Sequence, residues 1–238
     1  MRSLFAHDSH LPRRVFAFAL LALIFGVIFH QQITTRAFAQ QTVNYVTVGA
    51  SVADKVAPMS ATDTFLELAA TVGQSAAAKK LIDYKQKNDP NSQPRYYAIV
   101  DFDKPSTSKR FYVVDTVAKK VESYYVAHGR ASGENLAERF SNMNGSNSSS
   151  LGIYRTLNEY NGNHGRSLRL EGLEPTNSNA LARAIVMHKA DYVSESFIRA
   201  TGRLGRSEGC FAVEPSVSDA LVDELKNGAY IIASKNSL

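Results

Sequence analysis

Cys210 is the only cysteine among 238 residues, and it lies in the run Arg206-Ser207-Glu208-Gly209-Cys210-Phe211. Twenty-two positions upstream, His188 closes the apolar run Ala184-Ile185-Val186-Met187. A cysteine attacks as its thiolate, so a nucleophilic thiol needs a neighbour that takes its proton or lowers its pKa. Histidine is the usual one. Attack on a carbonyl also creates an oxyanion, which backbone N–H groups commonly hold. Gly209 carries no Cβ, which lets the chain turn tightly and approach a substrate closely beside the thiol. Ser207 adds a hydroxyl two residues before it. The competing reading of Cys210 is a small buried hydrophobe without chemistry, and that of His188 is a hydrogen-bonded core histidine.

The compartment bears on that choice. Arg13 and Arg14 precede an apolar run from Val15 to Phe29, and a polar stretch then ends in Ala37-Phe38-Ala39 before Gln40. Basic, apolar and small-x-small is the layout of a secretory signal peptide. The apolar run is short of the roughly 20 residues that a spanning helix needs. Residues 1–39 are therefore read as a signal peptide or, if uncleaved, a membrane anchor. The rest of the chain is expected to be exported to the periplasm or cell wall, with membrane contact only through that segment. In an oxidising compartment a lone unpaired cysteine calls for a reason, and a catalytic thiol is one.

Composition excludes some classes. Of the formal charge of +5, residues 1–39 hold +3 through Arg2, Arg13, Arg14 and Arg36 against Asp8, which leaves +2 beyond them. That near balance gives no basic surface for nucleic acid. No paired Cys or His residues stand at metal-ligand spacing, and neither a metal nor an organic cofactor is expected.

The elements that must position the pair are legible in outline. Residues 40–92 read as a linker followed by a helical segment. From Ser60 to Lys87 the apolar spacing predicts two helices joined at Gly73-Gln74. Residues 93–238 form the candidate catalytic domain. Tyr96–Phe102, Arg110–Asp115 and Val121–Val126 predict an antiparallel meander, and Ile153–Thr156 and Leu168–Leu170 further short strands. Ala180–Ala184 reads as a helical turn feeding the strand that ends at His188. Asn142–Ser150 reads as an exposed mobile loop. Pro215 opens a helix with Gly228 just past its end, and Ala229–Ala233 is a closing strand. The fold class is mainly β with flanking helices.

The blocks Ala184-Ile185-Val186-Met187-His188, Ala190-Asp191-Tyr192-Val193-Ser194 and Gly205-Arg206-Ser207-Glu208-Gly209-Cys210 resemble the catalytic core of the L,D-transpeptidases of the YkuD type. The nearest likeness is to the murein L,D-transpeptidase catalytic domain-like branch. It extends upstream through Phe111–Asp115, Val126–Gly129, Phe140–Asn142, Ser150–Tyr154, His164-Gly165 and Ser167–Leu170, so that it covers residues 93 to 235. The resemblance implies an L,D-transpeptidase-like β-fold preceded by an N-terminal helical segment. It also implies an enzyme acting on peptidoglycan stem tetrapeptides between meso-diaminopimelate and the terminal D-alanine. By the same resemblance Cys210 is the nucleophile, His188 the general base and Ser207 a supporting residue. The Gly209 and Cys210 amides become oxyanion-hole candidates. The chain departs from the commoner pattern at Glu208, where histidine is usual, at Lys189, where glycine is usual, and at Phe211-Ala212.

Around this pair, Arg206, Arg203, Lys189, His164 and Tyr192 are candidates for substrate binding. Arginine pairs carboxylates bidentately, which suits the acidic ends of a stem peptide. For His128, a strand-end or loop histidine is the simpler reading, and for Tyr154 a packing residue with a hydrogen-bonded hydroxyl. Two other readings stay open: a wall-binding module that kept the fold without catalysis, and a general exported cysteine peptidase.

Overall fold

The computed structural model describes residues 59–236, so the expected leader over residues 1–39 and the linker residues 40–58 lie outside the described residues. Ser60 caps the first helix, α1 (Ala61–Thr71), by accepting the Asp63 N–H through its side chain. The chain turns at Gly73 into α2 (Ser75–Asn88), which is the two-helix arrangement that the apolar spacing predicts.

The expected meander follows as β1 (Tyr96–Asp101), β2 (Phe111–Asp115) and β3 (Lys120–Tyr124), antiparallel in sequence. A long hairpin comes next, β4 (Gly152–Gly162) and β5 (Gly165–Gly172), which continues well past the two short strands read from the sequence. The remaining elements are β6 (Val186–Lys189), α3 (Glu195–Thr201), β7 (Phe211–Val213), α4 (Pro215–Leu225) and β8 (Tyr230–Ser234). Together the strands make one eight-stranded sheet in the order β3-β2-β1-β8-β4-β5-β6-β7. The pairings are antiparallel except β1 with β8 and β6 with β7.

The central strands β1 and β8 are buried on both faces, which explains their nearly continuous β-branched and aromatic character. Tyr97, Ile99, Tyr230 and Ile232 turn to one face and pack with Phe65, Leu81 and Ile82 of α1 and α2. Ala98, Val100, Ile231 and Ala233 turn to the other face and pack with Leu221, Val222 and Leu225 of α4. Phe65 stacks on Tyr97 with ring centroids 4.5 Å apart. Both are fully buried, and such a pair adds about 0.5–1.5 kcal/mol to what burial alone contributes.

The sheet curls so that its two edges approach. Beyond β3, Val126 bridges Val213 of β7, and the Ala127 N–H donates to the Ala212 carbonyl at 2.9 Å. This closes much of the β7 edge that would otherwise stand open and brings the site strands β6 and β7 against the meander. A small cluster of Ala127, Ala190, Val193, Leu204 and Ala212 fills the space behind them. No helix among the described residues is long and apolar enough to cross a membrane.

Candidate active site

The parallel ladder of β6 and β7 sets His188 opposite Ala212, with Cys210 two residues before Ala212 on the same chain. One strand spacing and two residue rises put the His188 and Cys210 Cα atoms at about 8 Å, a span that the two side chains can close. Both residues line one cavity of about 710 Å³, together with Ser207, Glu208, His164 and Tyr192.

His188 is almost fully buried. Its Nδ1 lies 2.8 Å from the Lys189 carbonyl oxygen. A carbonyl only accepts, so Nδ1 carries the hydrogen, and in the neutral ring Nε2 keeps the lone pair that a base needs. The orienting partner is thus main chain, and the departure from glycine at Lys189 leaves it untouched. Burial holds the His188 pKa below the ordinary histidine value, the Lys189 contact opposes this, and the His164 ring beside it lowers it further. The two rings stack with centroids 4.2 Å apart.

Cys210 is held from both sides by the chain entering β6. Its Sγ–H points to the Ala184 carbonyl at 3.6 Å, and the Val186 N–H donates toward the sulfur. Ala184 has φ +54, a left-handed conformation that side chains other than glycine adopt at a cost and that recurs at functional sites. Burial pushes the Cys210 thiol up and Glu208 adds to this, while the Val186 N–H and the Arg183 cation pull it down. Both shifts favour the uncharged forms, thiol and imidazole.

Ser207 shapes the loop that carries Cys210. Its Oγ donates to the Cys210 carbonyl at 2.8 Å and accepts the Gly209 N–H at 3.1 Å. The Gly209 amide, one of the two expected oxyanion donors, is thus bonded within the loop. Gly209 has φ +120, and a Cβ there would lie 2.7 Å from the Ser148 carbonyl oxygen.

Of the other candidates, His164, Tyr192 and Arg206 line the cavity, whereas Arg203 and Lys189 do not. Arg203 and Arg206 both pair with Glu134, at 3.0 and 2.6 Å. Lys189 is exposed, with its stem beside Gly165. Tyr192 is held at its ordinary protonation, its pKa raised to about 12 mainly by burial. Glu208 turns to Arg130 in an exposed ion pair of 3.2 Å. His128 is fully buried, with Nδ1 2.8 Å from a guanidinium nitrogen of Arg110 and its pKa lowered to about 4 by burial, so it is structural. Tyr154 likewise packs with its hydroxyl bonded to Ser150. No three His, Cys, Asp or Glu side chains among the described residues cluster as metal ligands would.

Two features were not foreseen. The end of the serine tract is packed rather than exposed, although Met143–Gly145 are exposed as expected: Ser148, Ser149 and Ser150 are buried, and the Ser149 Oγ accepts the Gly129 N–H at 3.0 Å. Arg183 holds the tract, donating to the Ser141 and Ser148 carbonyls and to the Ser146 and Ser150 hydroxyls. Arg183 also lines the cavity. A single arginine in a run of small residues gave no signal of either role.

The sequence model of the L,D-transpeptidase catalytic domain matches residues 68–233. The chain belongs to that family. Its match begins inside α1, so the family region takes in part of the helical layer as well as the sheet. Among solved structures, an L,D-transpeptidase from Mycobacterium smegmatis is 14% identical, with 60% of each chain covered and a TM-score of 0.37. One from Stackebrandtia nassauensis is also 14% identical over 71% of this chain and 75% of that one, with a TM-score of 0.37. An L,D-transpeptidase from Mycobacterium tuberculosis H37Rv is 14% identical over 59% and 58%, with a TM-score of 0.34. No curated protein matches the sequence. Membership of the L,D-transpeptidase family rests on the domain match.

Proposed function

We propose that this chain is an exported, cysteine-dependent L,D-transpeptidase or carboxypeptidase that acts on peptidoglycan stem tetrapeptides through an acyl-enzyme on Cys210. The observation that carries the reading is the delivery of a neutral, oriented His188 and the lone cysteine to one cavity by adjacent parallel strands. His188 Nε2 takes the thiol proton as Sγ attacks the carbonyl of the bond between meso-diaminopimelate and D-alanine. In this reading the Cys210 N–H holds the oxygen that becomes negative. The C–N bond then breaks, D-alanine leaves with the proton from His188, and a thioester remains on Cys210. An amine from a second stem, or water, attacks the thioester while His188 takes its proton and returns it to the sulfur. Because both shifts favour the uncharged thiol and imidazole, the proton moves during attack rather than before it.

The test is to incubate the purified protein with tetrapeptide muropeptides and resolve the products by mass. Release of D-alanine with a cross-linked dimer is transfer, and release with a tripeptide alone is hydrolysis. Neither product, with folded protein, refutes the proposal. Cys210→Ala is expected to abolish both reactions, and turnover retained by that variant would remove Cys210 from the mechanism.

A further inference from the structure

Burial disfavours the Cys210 thiolate, and Glu208, two residues before the thiol on the same loop, adds to this. An enzyme that must generate a thiolate needs a compensating cation nearby. The cavity holds three arginines. Arg130 is paired with Glu208 and Arg206 with Glu134, so each already answers a carboxylate. Among the described residues Arg183 has no ion pair. The partners of its two terminal nitrogens are carbonyls and hydroxyls, from Ser141, Ser146, Ser148 and Ser150, none of them charged. Four neutral acceptors fix the guanidinium in place and leave its charge uncancelled. Its position is beside the nucleophile: Nη2 lies 3.0 Å from where a Cβ on Gly209 would be. The next residue, Ala184, supplies the carbonyl that the thiol faces.

We propose that Arg183 is a positioning residue whose fixed, unneutralised guanidinium stabilises the Cys210 thiolate inside the cavity. With both terminal nitrogens already committed to the serine tract, it acts as a point charge and not as a fork for a substrate carboxylate. The serine tract is the frame that holds the charge still, which gives a reason for burying so polar a segment. Arg183 is pulled down by burial, while the Tyr154 and Cys210 sites act on it in the opposite sense. The inference rests on Cys210 being the nucleophile of the proposed function. Alkylation reads the thiolate directly, so it fails or succeeds independently of acyl transfer.

The experiment is the pH dependence of Cys210 alkylation by iodoacetamide in the full chain, for wild type, Arg183→Met, Arg183→Lys and Ser146→Ala. The other titratable groups on the cavity are His188 from β6, His164 and Tyr160 from the β4–β5 hairpin, Tyr192 from the segment after β6, and Glu208. Tyr154 faces the thiol from β4. All of these are unchanged across the set. Arg183→Met is expected to slow alkylation at pH 7 about tenfold and move the rate profile to higher pH, as the loss of one nearby charge would. Arg183→Lys restores most of the rate, and Ser146→Ala, which removes one of the four clamp acceptors but keeps the charge, falls between wild type and Arg183→Met. Arg183→Lys as slow as Arg183→Met, or Arg183→Met as fast as wild type, overturns the proposal. Should Arg183→Met not fold, Arg183→Gln, which keeps an amide donor without the charge, takes its place with the same outcomes.

Discussion

Gly209→Ala tests how tightly the loop that carries Cys210 is built. At φ +120 the backbone sits where a Cβ is strained, at a cost of about 1–3 kcal/mol. The added methyl would also meet the Ser148 carbonyl oxygen at 2.7 Å, and Arg183 Nη2 and Ile185 Cδ1 at 3.0 Å. The carbonyl is main chain held by Arg183, and the other two atoms are packed, so overpacking adds about 1–3 kcal/mol more. A total of about 4 kcal/mol lowers Tm by about 8–16 °C for a domain of this size. Gly202→Ala is the matched control. Gly202 has φ +78 as the left-handed cap of α3, with nothing within 4 Å of a Cβ, and its loss is expected to be about 1 kcal/mol. Thermal unfolding by circular dichroism reads both variants, and iodoacetamide labelling reports the displaced thiol in Gly209→Ala. A Gly209→Ala protein melting within about 2 °C of wild type, or a Gly202→Ala protein that loses as much, would refute the reasoning.

Three further outcomes are expected. His164→Ala removes a ring that lowers the His188 pKa. His188 then binds its proton at higher pH, and the acid limb of kcat/KM is expected to move to higher pH; an unmoved limb would show that the stacking has no bearing on the base. Phe65→Ala empties a fully buried site against Tyr97 and is expected to cost about 3–5 kcal/mol in denaturant unfolding; a cost under about 1 kcal/mol would mean that the helical layer is not integral to the sheet. His128 gains its proton near pH 6.5 when unfolded but only near 4 when folded. Stability attributable to it is therefore complete above about pH 6.5, falls as the pH drops to about 4 and is then flat, by about 3 kcal/mol in all. His128→Gln is expected to show a shallower slope across that window, and an unchanged slope would remove His128 from the acid response.

What the sequence disclosed follows from how local each signal is. The α1–α2 pair is marked by a face of Phe65, Leu66, Leu68 and Ala69 and a break at Gly73, all within a few turns. Cys210 stood out as the only cysteine, and His188 through the ordered blocks around it. The β4–β5 hairpin was underestimated because Glu159 and Asn161 are poor strand formers held by cross-strand register. The serine tract misled for a related reason. Ser and Asn favour loops because their side chains bond main chain, and Ser149 and Ser150 use the same capacity to satisfy themselves when buried. Arg183 was invisible because its acceptors lie 33 to 42 residues away. α3, seven residues long, is capped by Ser194 and Gly202 but too short to show a period.

The β6–β7 ladder has a bearing on how such a chain can change. His188 and Cys210 are 22 residues apart, yet their separation is fixed by hydrogen bonds between two short strands, not by the path that joins them. That path contains α3 and the exposed turn at Gly202. Extra residues accepted at Gly202 would lengthen the excursion while leaving the two reactive side chains where they are. The linear distance between His188 and Cys210 is thus free to drift, and the turn at Gly202 is a place where a new loop could be grafted beside an intact pair.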